Sequence, residues 1–318
     1  MKYKKIDRLG IEISSIALGT WGIGAAGWGD VKDSESIDTI RYMIERGVNV
    51  IDTAPVYGLG HAEEIVGQAL KGIRDKVFLI SKCGITRKKA TGFGKDGPVR
   101  DSSPEMILSQ VEESLQRLQT DHLDALLIHW PDVNTPFAET AQALKKLKEE
   151  GKIRFSGICN FEDSQIDEFA LTGELDIAQY QYSLLEKKWS RNLHKYAQQG
   201  VATMAYGALG GGILTGAFRK IPDFAADDMR LNFYPFFKPE RFEKTMPLLD
   251  VMEQIAQAHG VPIGEVALNY TASHPDISMA LVGCSKPHHA KMNCDAMDWQ
   301  MTKEEREVLE QAAEKAGE

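Results

Sequence analysis

The sequence has few cysteines, and they are widely spaced. Its 318 residues contain no C-x-x-C pair, and the four cysteines are Cys83, Cys159, Cys284 and Cys294. This spacing favours reduced thiols over a disulfide framework or a zinc site. The adjacent His288 and His289 are also an improbable metal site, because neighbouring side chains point in different directions. We therefore expect no metal ion.

Long hydrophobic runs and excess positive charge are also absent. No stretch approaches the roughly 20 apolar residues of a membrane-spanning helix. The opening MKYKKIDRLG has no apolar segment after its lysines, so we expect no signal peptide, no membrane partner and a cytoplasmic location. A formal net charge of -9 and the lack of a basic stripe argue against nucleic-acid binding. A small-molecule partner is favoured, and the oligomeric state stays open.

Short apolar runs alternate with longer segments of helical periodicity along the whole chain. We interpret eight of these runs as buried strands, at residues 13–19, 48–53, 77–82, 123–129, 153–158, 177–182, 201–206 and 277–283. Repeated strand–helix units predict a parallel sheet, and eight of them favour an α/β fold closed as a (β/α)8 TIM barrel. No linker divides the chain, so residues 1–318 are expected to form a single domain.

Local signals add helix starts and two long loops. Ser103-Pro104 and Thr135-Pro136 each predict the start of a helix, and the second helix should end near Gly151. Residues 83–102 and 216–245 exceed ordinary loop length. Because loops that follow strands form the mouth of a barrel, we expect both segments to shape a site there and to be mobile without ligand.

Two motifs point to other folds. The segment GIGAAG, residues 22–27, matches the dinucleotide fingerprint G-x-G-x-x-G, but the chain becomes helical only near Ser34. Without a helix opening on the glycines, a flexible loop is the better interpretation. Tyr234 and Lys238 have the spacing of short-chain dehydrogenases, where one helical turn joins them. Pro235 disfavours that helix, and a short-chain-type dehydrogenase is kept as an alternative.

Polar residues close the predicted strands. They are Thr20, Asp52, Lys82, His129, Asn160, Gln179, Tyr206 and Ser285. The carboxyl ends of barrel strands converge on one face, so Asp52, Lys82 and His129 should become neighbours, with Tyr57 on the loop above them.

These four side chains suit proton transfer to a carbonyl group. A lysine ammonium beside Tyr57 should lower the pKa of the phenol, and Asp52 should hold the lysine charged and oriented. His129 can hydrogen-bond a carbonyl oxygen while negative charge develops there.

Longer stretches of the sequence resemble a known family. They are LGTW (18–21), IDTAPVYGLGHAEEIVG (51–67), ISKCG (80–84), LDALLIHWPD (123–132), GICNF (157–161), QYQYSLLEK (179–187) and AYGALGGGILTG (205–216). In content and order they resemble the motifs of the aldo-keto reductases and cover most of the chain. The bacterial subgroup related to inositol-operon and general-stress reductases looks nearest.

The resemblance implies an oxidoreductase that transfers a hydride between a nicotinamide cofactor and a carbonyl or alcohol substrate, such as an aldehyde, ketone, sugar or polyol. It implies Tyr57 as general acid, tuned by Asp52, Lys82 and His129. It also places Trp21 and Trp130, together with Tyr57 and His129, on the substrate.

The resemblance further implies a set of cofactor contacts. Asn160 and Gln179 would bind the nicotinamide carboxamide, Tyr206 would stack on the ring, and Asn293 would contact adenine. The remaining predicted contacts are Thr20, Trp21, Asp52, Cys159, Gly207, Leu209, Gly211, Gly283, Ser285, Lys286 and His289. Ser285 stands where the family often has an arginine or lysine on the 2′-phosphate. The resemblance to the family favours NADP(H), and the uncharged Ser285 makes NAD(H) plausible as well.

Two further functions stay open at this point. Some members of the resembled family bind nucleotide and serve mainly as regulatory subunits with little turnover. A Schiff-base aldolase acting through Lys82 is a third possibility, and it is disfavoured by the tyrosine–histidine pair.

Overall fold

An antiparallel hairpin at the start of the chain leads into a barrel of eight parallel strands. The computed structural model describes residues 1–24, 27, 29, 31–86, 99–226 and 228–317. The strands are β1 (Tyr3–Ile6), β2 (Ile11–Ser14), β3 (Ile16–Gly19), β4 (Val50–Asp52), β5 (Phe78–Cys83), β6 (Ile85–Thr86), β7 (Val99–Arg100), β8 (Leu123–Ile128), β9 (Ile153–Cys159), β10 (Ile177–Gln181), β11 (Ala202–Tyr206) and β12 (Met279–Gly283). The barrel closes in the order β3-β4-β5-β8-β9-β10-β11-β12, and the predicted TIM barrel is confirmed.

Helices follow the barrel strands and pack around them. They are α1 (Asp33–Glu45), α2 (His61–Leu70), α3 (Pro104–Leu118), α4 (Phe137–Glu149), α5 (Asp163–Ala170), α6 (Ser190–Ala197), α7 (Met229–Phe233), α8 (Pro239–His259), α9 (Ile263–Ala272), α10 (Pro287–Asp295) and α11 (Lys303–Gly317). None of the helices among the described residues is long and apolar enough to cross a membrane.

The first predicted strand differs from the observed one. The run 13–19 divides at Ser15, where the backbone N–H donates to the carbonyl of Lys2 at 2.9 Å. Its first part belongs to β2, which pairs with β1 in the antiparallel register Tyr3↔Ser14. Only β3 enters the barrel, beside β12 and β4. The prediction was wrong here because one apolar run serves two sheets.

Apolar side chains of the strands fill two separate cores. Inside the barrel, Val50, Ile80 and Leu127 belong to a cluster that is buried from solvent, and Ile13 of the hairpin packs with it. The other strand face packs against the helices in a larger cluster. Every residue of β5 and β8 is buried, as a parallel sheet covered on both faces requires. This continuous burial produced the unbroken apolar runs in the sequence.

The predicted helix starts are confirmed. The side chain of Ser103 accepts a hydrogen bond from the backbone of Met106 and caps α3, with Pro104 in the first turn. After Pro136, α4 begins at Phe137, and Gly151 follows its end with a φ of 72°.

The two long loops contain short elements. Residues 87–98 of the first loop lie outside the described residues, and the flanking β6 and β7 pair with each other. The second loop carries α7, a 3₁₀ turn (Pro235–Phe237) and the start of α8. The mobility of both loops stays a prediction.

Candidate active site

Three neighbouring barrel strands and one loop bring the predicted catalytic side chains together. Asp52 is the last residue of β4, Lys82 lies near the end of β5, and His129 directly follows β8. β4 pairs with β5, and β5 pairs with β8. Tyr57 begins a 3₁₀ turn (Tyr57–Gly60) above them, and its ring meets that of His129 edge-on at 5.8 Å.

Lys82 is the centre of this group. Its side chain is fully buried, and its ammonium donates to Asp52 Oδ1 at 2.5 Å, to the Thr53 carbonyl at 3.1 Å and to the Tyr57 hydroxyl oxygen at 3.2 Å. These three acceptors match the three N–H donors of an ammonium. The lysine is therefore fixed in place although it has no contact with water.

Burial and charge shift the pKa values within the group. Burial lowers the pKa of Lys82, but Asp52 and Tyr57 outweigh it and the net shift is upward. Burial raises the pKa of Tyr57 to about 12, although the Lys82 ammonium opposes that change. Burial and Lys82 hold the pKa of His129 well below its usual value. At neutral pH the three groups are therefore an ammonium, a neutral phenol and a neutral imidazole.

The pKa of Tyr57 is raised overall, whereas the sequence led us to expect a lowered pKa. The lysine does favour the phenolate, as expected, but desolvation of the phenol is the larger effect. Tyr57 thus keeps its proton at neutral pH.

A second set of hydrogen bonds extends from Asp52 towards the next strands. Gln179 Nε2 donates to Asp52 Oδ2 at 2.9 Å, and Gln179 Oε1 accepts from the Cys159 thiol at 3.3 Å. Asn160 Nδ2 donates to Cys159 Sγ at 3.1 Å and to the His129 carbonyl at 3.2 Å. The Tyr206 hydroxyl donates to Asn160 Oδ1 at 2.8 Å. Asp52, Gln179 and Asn160 are therefore joined before any ligand binds.

A cavity of about 640 Å³ opens at this end of the barrel. Most of the predicted site residues line it, namely Thr20, Trp21, Asp52, Tyr57, His129, Trp130, Cys159, Asn160, Gln179, Tyr206, Gly207, Leu209, Gly211, Gly283, Ser285, His289 and Asn293. Lys82 lies beneath the cavity and reaches it through Tyr57. Lys286 is exposed and is not part of the lining.

Aromatic residues form part of the cavity lining. Trp21 lies 6.3 Å from Tyr57 and 4.9 Å from Phe233, measured between ring centroids. The guanidinium of Arg100 lies 4.8 Å above the ring of Trp130. The sequence analysis missed Phe233 and Arg100, although the aromatic-rich loop around Phe233 was a signal for the first of them.

The cavity lining also has the polar groups and close backbone that a nucleotide needs. The side chain of Asn293 is buried in the cavity lining, and its amide lies beside the Cys284 thiol. Gly211 has a φ of +70°, and a Cβ there would lie 2.6 Å from the ring of Tyr234. A side chain at this position would both strain the backbone and crowd the cavity.

Neither misleading motif forms the structure that it suggested. Tyr234 follows the last residue of α7, and Lys238 follows a separate 3₁₀ turn, so no single helical turn joins them. The short-chain alternative is therefore wrong. Of the GIGAAG segment, residues 25 and 26 lie outside the described residues, and the following helix, α1, starts only at Asp33.

Comparison with known proteins agrees with this geometry. A family model described as the aldo/keto reductase family matches residues 15–314. The chain belongs to the aldo/keto reductase family. Within that family it is 36% identical to the aldo-keto reductase YhdN of Bacillus subtilis (strain 168), over 97% of this chain and 92% of that protein. It is 34% identical to the NADH-specific methylglyoxal reductase of Escherichia coli (strain K12), over 99% of each.

Solved aldo/keto reductases share the fold. The glycerol dehydrogenase AKR11B4 from Gluconobacter oxydans superposes with a TM-score of 0.89 at 35% identity, covering 99% of this chain and 96% of that one. An aldo/keto reductase from Klebsiella pneumoniae in complex with NADP and acetate gives a TM-score of 0.73 at 28% identity, covering 95% and 92%. The predicted class of activity, nicotinamide-dependent oxidoreduction, is confirmed for this family member. The prediction that NADP(H) is favoured and NAD(H) plausible agrees with these relatives.

Proposed function

We propose that this aldo/keto reductase reduces aldehydes or ketones with a nicotinamide cofactor, or oxidises the corresponding polyols, with Tyr57 as the general acid. The observation that carries the proposal is the contact between Tyr57 and Lys82. The phenol keeps its proton at neutral pH, faces the cavity, and accepts a hydrogen bond from an ammonium that Asp52 fixes. An acid in this setting can give its proton to a carbonyl oxygen, because the ammonium stabilises the phenolate that remains.

The chain's own residues supply orientation and proton transfer. The neutral imidazole of His129 lines the cavity beside Tyr57 and can donate a hydrogen bond to the carbonyl oxygen, so the two side chains fix that oxygen together. Trp21, Trp130 and Phe233 form an apolar wall that keeps water from the reacting carbon. A reduced nicotinamide, when bound in the cavity, would supply the hydride.

The residues that line the cavity fit such a cofactor. Asn160, Gln179 and Asn293 supply amide side chains to the lining, and Tyr206 supplies an aromatic ring. Ser285, the side chain predicted at the 2′-phosphate, is neutral. We therefore propose that NADP(H) is used with a small preference over NAD(H).

Replacement of Tyr57 by phenylalanine tests the acid assignment. Turnover should be followed by the absorbance of NADPH and NADH with a panel that includes methylglyoxal, glyceraldehyde and glycerol. Tyr57→Phe removes one hydroxyl and little volume, so reduction should fall at least about 10²-fold, the lower range for general acid–base catalysis. Cofactor binding, measured by quenching of tryptophan fluorescence, should be retained.

Tyr3→Phe is the matched control. Tyr3 lies in the hairpin before the barrel, and its hydroxyl donates only to the carbonyl of Gly47, so turnover should be unchanged. Full activity in Tyr57→Phe would overturn the assignment. Tight cofactor binding by the wild-type chain, without turnover of any panel member, would instead support the alternative of a regulatory subunit.

A further inference from the structure

The hydrogen bonds around Gln179 form one unbroken path through the site. The path runs from Tyr206 to Asn160, Cys159, Gln179 and Asp52, and continues through Lys82 to Tyr57. Cys159, Gln179, Asp52 and Lys82 are all at least nine-tenths buried. A buried polar network can be satisfied in few ways, so each member restricts its neighbours.

The orientation of the Gln179 amide follows from its partners. An ionised Asp52 can only accept hydrogen bonds, so the NH₂ group of Gln179 must face Asp52 Oδ2. Its carbonyl oxygen then faces Cys159 Sγ, where the thiol must donate. Burial raises the pKa of Cys159, which keeps the thiol protonated and able to donate. Asn160 Nδ2 donates to the same sulfur.

Each oxygen of Asp52 thus has its own donor. Oδ1 accepts from Lys82 and Oδ2 accepts from Gln179, so the carboxylate cannot rotate without breaking one of the two bonds. The position of the Lys82 ammonium under Tyr57 depends on that carboxylate.

We propose that Gln179 is a positioning residue for proton transfer by Tyr57: it locks the Asp52 carboxylate against Lys82, and Cys159 holds Gln179 in the orientation that does so. This role is distinct from a contact with the nicotinamide carboxamide, and it rests on the proposed function of Tyr57. Removal of the amide should therefore change kcat and its pH profile.

Gln179→Met removes the C=O and NH₂ groups of the side-chain amide and keeps a side chain of nearly the same length. At saturating cofactor, kcat for reduction should fall about tenfold, because a small misplacement of a catalytic group costs up to about 10²-fold. The pKa of Tyr57 should rise, since Asp52 loses a donor that stabilises its charge, and the high-pH limb of kcat should move to higher pH. Gln198→Met, exposed directly after α6, is the control, and it should change kcat less than about twofold, the range of a surface substitution.

Two additional measurements isolate the path. Cys159→Ala should lower kcat, and Cys159→Ser should restore it, because a hydroxyl can donate to Gln179 as the thiol does. In an Asp52→Asn background, Gln179→Met should have almost no added effect, since its influence passes through Asp52.

The outcomes separate this proposal from simpler ones. If Gln179→Met weakens only cofactor binding, while kcat at saturation and its pH profile stay unchanged, Gln179 is a cofactor contact and the positioning role is wrong. Equal effects of Gln179→Met on kcat in the wild-type and Asp52→Asn backgrounds would also overturn the positioning role. If Gln179→Met fails to fold by circular dichroism, Gln179→Glu replaces it, and its added charge beside Asp52 should lower kcat further and shift the profile. A wild-type chain without Tyr57-dependent turnover would show that the proposed function itself has failed.

Discussion

The ammonium of Lys82 lies 3.2 Å from the hydroxyl oxygen of Tyr57, yet the pKa of that phenol is raised to about 12. Burial and the lysine act in opposite directions, and burial is the larger effect. The lysine therefore limits an increase in the pKa of Tyr57 rather than producing a phenolate at neutral pH.

Removal of that charge should slow reduction at every pH. In Lys82→Met the pKa of Tyr57 should rise further, so the phenol becomes a weaker acid, and kcat should fall at least about 10²-fold. The decrease of kcat at high pH should move to a higher pH, or it should not appear at all between pH 6 and 11. Lys82→Arg, which keeps a charge but not the geometry, is the comparison. A Lys82→Met enzyme with wild-type kcat would contradict this reading of the pair.

The neutral side chain at Ser285 should give a weak cofactor preference. We expect kcat/KM for NADPH to exceed that for NADH by a small factor. Ser285→Arg should increase the ratio by about tenfold or more, because an arginine pairs with a phosphate through two hydrogen bonds. Lys286 is exposed next to Ser285, and Lys286→Ala should lower kcat/KM with NADPH alone. A strong NADPH preference that survives Lys286→Ala would show that another basic residue binds the 2′-phosphate.

Arg100 should influence which substrates bind. Its guanidinium lies over Trp130 in the cavity lining and forms no ion pair with a carboxylate among the residues that the structure describes. Carbonyl compounds that carry a carboxylate should therefore have a lower KM than neutral compounds of the same size. Arg100→Met should raise KM about tenfold for the carbonyl compounds that carry a carboxylate. Loss of a charged hydrogen bond of about 1.5–3 kcal/mol implies an effect of this size. The KM of neutral carbonyl compounds should hardly change. The KM of Arg100→Lys for the carboxylate-bearing compounds should lie between those of wild type and Arg100→Met.

Glu265 should make stability depend on pH. It is buried in α9, and burial together with Asp295 raises its pKa to about 7. The unfolded chain loses this proton near pH 4.5, so the wild-type fold loses stability between pH 4.5 and about 7. Glu265→Gln should gain stability relative to wild type as pH rises through that window, by up to about 3 kcal/mol. Urea unfolding of both proteins at pH 5 and pH 8 measures this change in the free energy of unfolding. If the difference in stability between the two proteins is the same at both pH values, the prediction is wrong.

The sequence predicts the barrel well because its strands are buried on both faces and appear as continuous apolar runs. It does not reveal β1, whose four residues alternate between exposed and half-buried positions and carry two lysines. The polar strand ends predict Asp52, Lys82 and His129 as neighbours, since barrel geometry alone brings them together. The bond between Gln179 and Asp52 depends on side-chain orientation across the barrel, and periodicity carries no signal for it. Arg100 could not be predicted because it lies in β7, a strand of two residues that is too short to give a periodic pattern.

The order of strands around the barrel divides the site into two arcs. Asp52, Tyr57, Lys82 and His129 come from β4, β5 and β8, whereas Asn160, Gln179, Tyr206 and Gly283 come from β9 to β12. The arcs meet at two seams, where β8 pairs with β9 and where β12 joins β4 through β3. Two hydrogen bonds join the arcs, from Gln179 to Asp52 and from Asn160 to the His129 carbonyl. We therefore expect that a chimaera assembled from the arcs of two homologous barrels will keep its activity only if both parents have partners for these bonds.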